Sequence, residues 1–178
     1  MKNPLVVVSM VALSALAVGC QDRHALAELE DMKAQAEAQQ QNKEIVQDSI
    51  RAIDAQDSER LRNLWADDFS CHFLDMPEPF GREETIEYVW DFYSSFPNNT
   101  HDIQKIIAEG DFVAVMLTNT ANHQADFAGI PATGNEVSFA GMSLVRISEG
   151  KVAEWWLLDD NLGFMQQLGM ELRPASGI

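Results

Sequence analysis

The sequence predicts an α+β domain whose helices come first and whose strands follow. Three observations carry this. Apolar residues recur at helical spacing in 44–55 (Val46, Ile50, Ile53) and again after Arg82 (Ile86, Val89, Tyr93, Phe96). From His101 onward the chain runs in apolar, β-branched segments separated by glycine-containing turns. The last of these, 150–169, reads GKVAEWWLLDDNLGFMQQLG: a turn, a strand, two carboxylates and a short helical tail. The order α-α-β-α-β-β-β-β places helices on one face of a bent, mostly antiparallel sheet.

The chain has 178 residues and a formal net charge of −16. That length suits one domain with extensions. Charge of this sign, with no basic patch, argues against nucleic acid as a partner, which needs clustered Lys and Arg.

Segment 1–19 reads as a secretory leader. Lys2 supplies a positive charge and 5–18 an apolar run, too short for the roughly 20 residues of a membrane span. It ends in Ala17-Val18-Gly19-Cys20, which resembles the lipobox of bacterial lipoproteins. The resemblance implies lipidation at Cys20 and a membrane anchor in the cell envelope; Gln21, rather than Asp, favours the periplasmic face of the outer membrane. Cys71, the other cysteine, lies in an apolar run and reads as a core residue, with no internal disulfide.

Residues 20–41 form a polar spacer rich in Gln, Ala and Glu, with a thin stripe of Leu26, Leu29 and Met32. These residues favour a solvated helix. The folded domain is expected over 42–172, with a tail at 173–178. Its elements follow in order: a helix over 44–55; a second, capped by Asp57 or Ser58, running through Trp65; and a strand over 69–74. Next come a proline-bearing loop over 76–81 and a helix from Arg82 to about Ser95, with Glu83 and Glu84 in its first turn. Strands are expected over 101–108, 112–123 and 136–147, with Gly141 marking a bulge or close approach. In the final strand both faces are largely apolar, which predicts cover on both sides. Val152, Glu154, Trp156, Leu158 and Asp160 share one face, and Trp155, Leu157 and Asp159 the other.

Seven words stand in order along this stretch: Trp65-Ala66-Asp67-Asp68-Phe69; Gly81-Arg82-Glu83-Glu84; Phe96-Pro97 with His101-Asp102-Ile103; Ala108-Glu109-Gly110-Asp111; Gly129-Ile130-Pro131-Ala132-Thr133-Gly134; Phe139-Ala140-Gly141-Met142; and 150–169 itself. Together they resemble the SnoaL-like polyketide cyclases, or ester cyclases. These adopt the cystatin-like cone of nuclear transport factor 2 and ketosteroid isomerase. The resemblance spans about 42–169.

It implies ring closure by intramolecular aldol condensation, with an Asp as acid and base and neither metal nor cofactor. Such chemistry needs a positioned carboxylate in a water-poor pocket. The pattern Glu154-x-Trp156-x-x-x-Asp160 assigns that acid to Asp160. A one-residue shift would exchange it for Asp159, and Asp160 is equally suited to cap a helix from Asn161. His123 corresponds to a family histidine suited to a substrate carbonyl, and His101 to a polar residue at a strand start. Trp156, Met142, Met116, Trp90 and Phe139, with Phe164, are the expected apolar lining, for a small apolar or carbonyl-bearing ligand. Four scattered histidines without helical pairing do not make a metal site. Cones of this kind also pair through the sheet, which implies a homodimer. The alternative is a non-catalytic ligand-binding or interaction lipoprotein on the same scaffold.

Overall fold

The computed structural model describes residues 5–74 and 76–173, with side chains from Arg23 onward. The side chains of the expected leader and of Cys20 lie outside the described residues, as do 174–178. The chain divides into two units, Met1–Ala38 and Gln39–Ile178.

Helix α1 runs Leu5–Asp54 without interruption. No Gly or Pro interrupts 21–42, and its residues favour helix. In the first unit every described side chain is exposed. Among the described residues no helix is long and apolar enough to cross a membrane.

In the second unit the last turns of α1 bury Val46, Ile50 and Ala52. Helix α2 (Ser58–Leu64) starts at Asp57, whose carboxylate accepts the Arg60 N–H at 2.9 Å. Strand β1 (Trp65–Phe73) begins at once, so Trp65 opens a strand where a helix end was expected. A two-residue strand, β2 (Phe80–Gly81), leads into α3 (Arg82–Ser95), and the Gly81 N–H donates to Glu84 Oε2 at 3.0 Å. Then come β3 (Thr100–Glu109), β4 (Phe112–Asn122), β5 (Glu136–Ser148), β6 (Lys151–Asp159) and the short α4 (Asn161–Gln167).

The six strands form one sheet in the order β2-β1-β6-β5-β4-β3. Among the described residues, β1 and β6 alone pair in parallel; the other pairings are antiparallel. This is the expected α+β cone, its helices packed on a mostly antiparallel sheet. Strict alternation along β4 and β5 turns Val113, Val115 and Leu117, with Val145 and Ile147, toward the helices. They pack there on Val46, Ile50, Leu61, Trp65 and Ile86. Fully burying each such side chain contributes roughly 1.5–3 kcal/mol. A second cluster gathers Phe96, Ala121, Val137, Phe139, Phe164 and Leu168 at the other end.

One irregularity matters for the site. Arg146 pairs with Glu154 and Ile147 with Val152, so Ala153 is an extra residue on β6. The bulge puts Val152 and Trp155 on the same, buried side. From there the inward set is Trp155, Leu157 and Asp159. The outward set is Glu154, Trp156 and Leu158. The expectation that β6 is covered on both faces is corrected: β6 lies between two strands, but Leu158 is 53% exposed, beside Met142 at 58%.

Candidate functional site

Residues of the helices and of the sheet together line a cavity of about 180 Å³. Ile50 and Ile53 of α1, Phe69, Cys71 and Phe73 of β1, and Val89, Phe92 and Tyr93 of α3 form its helical and β1 walls. The sheet contributes His101, Leu117, Asn119, Phe139, Ser143, Trp155, Leu157 and Asp159, and Phe164 of α4 closes one end.

Asp159 is the last residue of β6 and stands opposite Gly141 of β5. Its inward position follows from the bulge at Ala153. Two neighbours break an apolar alternation: Asn119 follows Val113, Val115 and Leu117 along β4, and Ser143 lies between Phe139 and Val145 on β5. Both are buried, Asn119 at 4% exposure and Ser143 at 6%. This polar intrusion was the sequence signal for them.

Asp160 corrects the sequence assignment. Its side chain is exposed and accepts the Gly163 N–H at 2.9 Å, capping α4. The strand has ended, so alternation no longer applies; its backbone N–H donates to Ala140 O at 2.9 Å. Trp156 faces outward as well, stacked on His72 with ring centroids 5.1 Å apart. Glu154 pairs with Arg146 rather than lining the cavity.

His123 is also placed elsewhere. It is fully buried, yet it does not line the cavity. Its Nδ1 accepts the Thr133 N–H at 3.2 Å, and its backbone exchanges bonds with Asn135 O and the Gly134 N–H, each at 2.9 Å. The ring stacks on Phe96 with centroids 4.9 Å apart. A strand-end histidine thus holds the base of the following loop. Met116 and Met142 lie on the outer face of the sheet, paired in register and exposed. Trp90 donates its indole N–H to Ser58 Oγ at 2.9 Å and packs against the core beside the cavity. Of the expected site residues, the structure brings His101, Phe139 and Phe164 to the cavity wall.

His101 has a partner that sequence reasoning missed. Its Nδ1 lies 2.6 Å from Oδ1 of Asp54, the last residue of α1. The same oxygen accepts from the Tyr93 hydroxyl at 3.5 Å. Burial, and then the Asp54 charge, hold the Tyr93 phenol well above its ordinary range, so it stays protonated and a donor. Nothing local in the sequence links positions 54, 93 and 101; only the packing of α1 and α3 on β3 does. Cys71 is pushed up to about 12 by burial, and remains a thiol.

Three buried polar atoms on cavity residues have no hydrogen-bond partner: Trp65 Nε1, Asn99 Oδ1 and Ser143 Oγ. Leaving such groups unmet typically costs about 1–3 kcal/mol each. A ligand carrying oxygen atoms would offer an acceptor to the indole and a donor to the amide. Among the described residues no three His, Cys, Asp or Glu side chains are grouped to hold a metal ion.

A family model described as SnoaL-like polyketide cyclase matches residues 43–168. No curated protein matches the chain. Among solved structures, IdmH of Streptomyces antibioticus, a candidate polyketide cyclase, is 27% identical, with a TM-score of 0.67 over 72% of this chain and 99% of its own. AclR of Streptomyces galilaeus, a candidate hydroxylase, is 25% identical, with a TM-score of 0.67 over 74% of this chain and 97% of its own. A candidate SnoaL-like polyketide cyclase from Jannaschia sp. CCS1 is 24% identical and shares the fold, with a TM-score of 0.69 over 75% of this chain and 95% of its own.

Proposed function

Because the chain belongs to the SnoaL-like polyketide cyclase family, we propose that it performs cyclase-type acid–base chemistry on a small, mostly apolar carbonyl compound, with Asp159 as the group that takes the proton. One observation carries this reading: a carboxylate at the end of β6 reaches the wall of a largely apolar cavity beside the glycine that leaves it room. A carboxylate so placed removes a proton from a carbon next to a carbonyl. The C–H electron pair moves into the enolate, and the carbon end of that enolate attacks a second carbonyl of the same molecule. Positioned general bases contribute typically about 10²–10⁴-fold, and holding both ends of a flexible chain together contributes more.

The test uses a symmetrical diketone, heptane-2,6-dione, in heavy water. Proton NMR reads α-deuteration and closure to the cyclohexenone in one sample. The wild-type chain is expected to accelerate both, and Asp159→Asn to lose at least 100-fold in each. A wild type no faster than buffer overturns the reading and leaves a ligand-binding cone; native mass spectrometry of protein purified from its source would then report the bound compound.

The leader and the lipobox-like Ala17-Val18-Gly19-Cys20 support placing this activity at the cell envelope, on a lipid anchor. Mass spectrometry of the N-terminal peptide is expected to find acyl chains on Cys20, and Cys20→Ser is expected to release the protein from membranes. An unmodified cysteine retained behind an intact leader would refute the anchor.

A further inference from the structure

We propose that His101, oriented by Asp54, is a second catalytic residue of this cavity and delivers a proton to the acceptor carbonyl oxygen as the new carbon–carbon bond forms. The inference rests on the acid–base reading of the site and goes beyond it by naming the group that works at oxygen.

The geometry begins with Asp54. An ionised carboxylate only accepts, so the 2.6 Å contact to His101 Nδ1 requires the hydrogen to sit on that nitrogen. The second carboxylate oxygen, Oδ2, accepts the His101 backbone N–H at 3.5 Å, and Tyr93 donates to Oδ1. Asp54 is thereby held from two further directions, and the ring is held by its Nδ1 edge. What remains for exchange is Nε2, on a ring that lines the cavity and is largely buried, with a side-chain exposure of 16%. A histidine fixed in this way gives up its Nε2 proton and is left in the tautomer that Asp54 already binds. No ring flip intervenes.

Its position suits a second role rather than a duplicate one. His101 is on β3 and Asp159 on β6, three strands away in the sheet order, and both line the same cavity. Groups that reach one small cavity from different strands act on different atoms of one substrate, the α-carbon and the acceptor carbonyl oxygen beside it. Asn119 stands between them: it pairs with His101 in the β3–β4 register, and its Nδ2 lies by Gly141 and the Asp159 carboxylate. The step balances as follows. Asp159 takes the proton from carbon, and the enolate carbon bonds to the carbonyl carbon. The carbonyl π pair moves to oxygen, which takes the Nε2 proton of the imidazolium. The proton on Asp159 leaves to solvent as His101 regains one, so nothing is oxidised or reduced. Asp54 touches no reacting atom and is a positioning residue.

Two measurements on the full chain test this. In ¹⁵N-histidine-labelled wild type, the neutral His101 ring is expected to carry its proton on Nδ1; in Asp54→Ala it is expected to shift toward Nε2. A neutral ring protonated on Nε2 in wild type overturns the proposal whatever the activity. The second measurement is the ratio of ring closure to α-deuteration with heptane-2,6-dione. Asp159→Asn is expected to lower both rates together. His101→Gln and Asp54→Ala are expected to lower closure at least tenfold more than deuteration. If wild type accelerates both reactions and His101→Gln leaves their ratio unchanged, this inference falls and the acid–base reading stands. If wild type accelerates neither, both fall.

Discussion

Gly141 gives the Asp159 carboxylate its place. A Cβ built at Gly141 would lie 2.5 Å from Asp159 Oδ1, 2.9 Å from Leu117 Cδ1 and 3.2 Å from Asn119 Nδ2. The glycine is here for space, at the register position opposite the acid. Gly141→Ala should therefore push the carboxylate and the two β4 side chains aside. The atoms that must move are side-chain ends, so the stability loss should fall near the low end of the ~1–3 kcal/mol typical of overpacking. The chemistry should suffer more: α-deuteration is expected to fall at least tenfold, since displacement on the order of 1 Å can cost about 10²-fold. Urea denaturation and the diketone assay separate the two effects. Full activity in a folded Gly141→Ala chain would mean that the carboxylate does not work from this position.

The neighbouring acid should behave in the opposite way. Asp160 caps a helix of 7 residues through the Gly163 N–H. The cap depends on Gly163, since a Cβ there would collide with the Asp160 carboxylate. Asp160→Ala is expected to lower stability by about 1 kcal/mol, and Asp160→Asn or Asp160→Ser to retain most of it. Deuteration by Asp160→Ala should stay within about twofold of wild type. A loss comparable to that of Asp159→Asn would return the catalytic assignment to Asp160.

The contrast between these two acids shows what the sequence could and could not convey. The helices and long strands were legible because burial imposes a period on them: Val46, Ile50 and Ile53 on α1, and every second residue of β4 and β5. The face of β6 that meets the cavity was not. Val152 is buried, and strict alternation from it selects Glu154, Trp156 and Asp160. One extra residue, Ala153, reverses that parity, and only the pairing with β5 reveals it. His101 and Asp54 are 47 residues apart and meet through the packing of α1 on β3, which leaves no local mark. His123 was recognisable as the end of a strand, but the turn of its side chain toward Thr133 depends on the loop that follows.

Cys71 sits in the cavity wall with its thiol pushed from 9.0 to about 12 by burial, which outweighs a hydrogen bond with Thr85. At pH 8 its thiolate population is thus lowered about 10³-fold, and a disulfide reagent should react with Cys71 only on unfolding. The same shift makes stability depend on pH. The unfolded chain loses this proton at lower pH than the folded one, so alkali favours unfolding. The stabilisation is complete below the ordinary thiol pKa and fades as pH rises toward 12, at about 1.4 kcal/mol per pH unit. Tyr93, raised by burial and by Asp54, pulls the same way at higher pH. Cys71→Ala should flatten the fall in urea midpoint between pH 9 and 10. An unchanged slope, or rapid native labelling, would show the thiol to be accessible.

His123 should prove to be a fastener for its loop. Its ring accepts the Thr133 N–H at Nδ1 and packs on Phe96, while its backbone closes onto Gly134 and Asn135. Removing the ring leaves a cavity and an unmet N–H, so His123→Ala is expected to cost roughly 2–4 kcal/mol. Two substitutions distinguish this from a role in chemistry. The side-chain oxygen of Asn can occupy the place of Nδ1, whereas that of Gln reaches toward the place of Nε2. His123→Asn should therefore recover part of the lost stability, and His123→Gln should recover less. Both, once folded, should deuterate heptane-2,6-dione at close to the wild-type rate. A His123→Asn chain as stable as wild type but at least tenfold slower would place the imidazole among the reacting groups, and the loop reading would have to be abandoned.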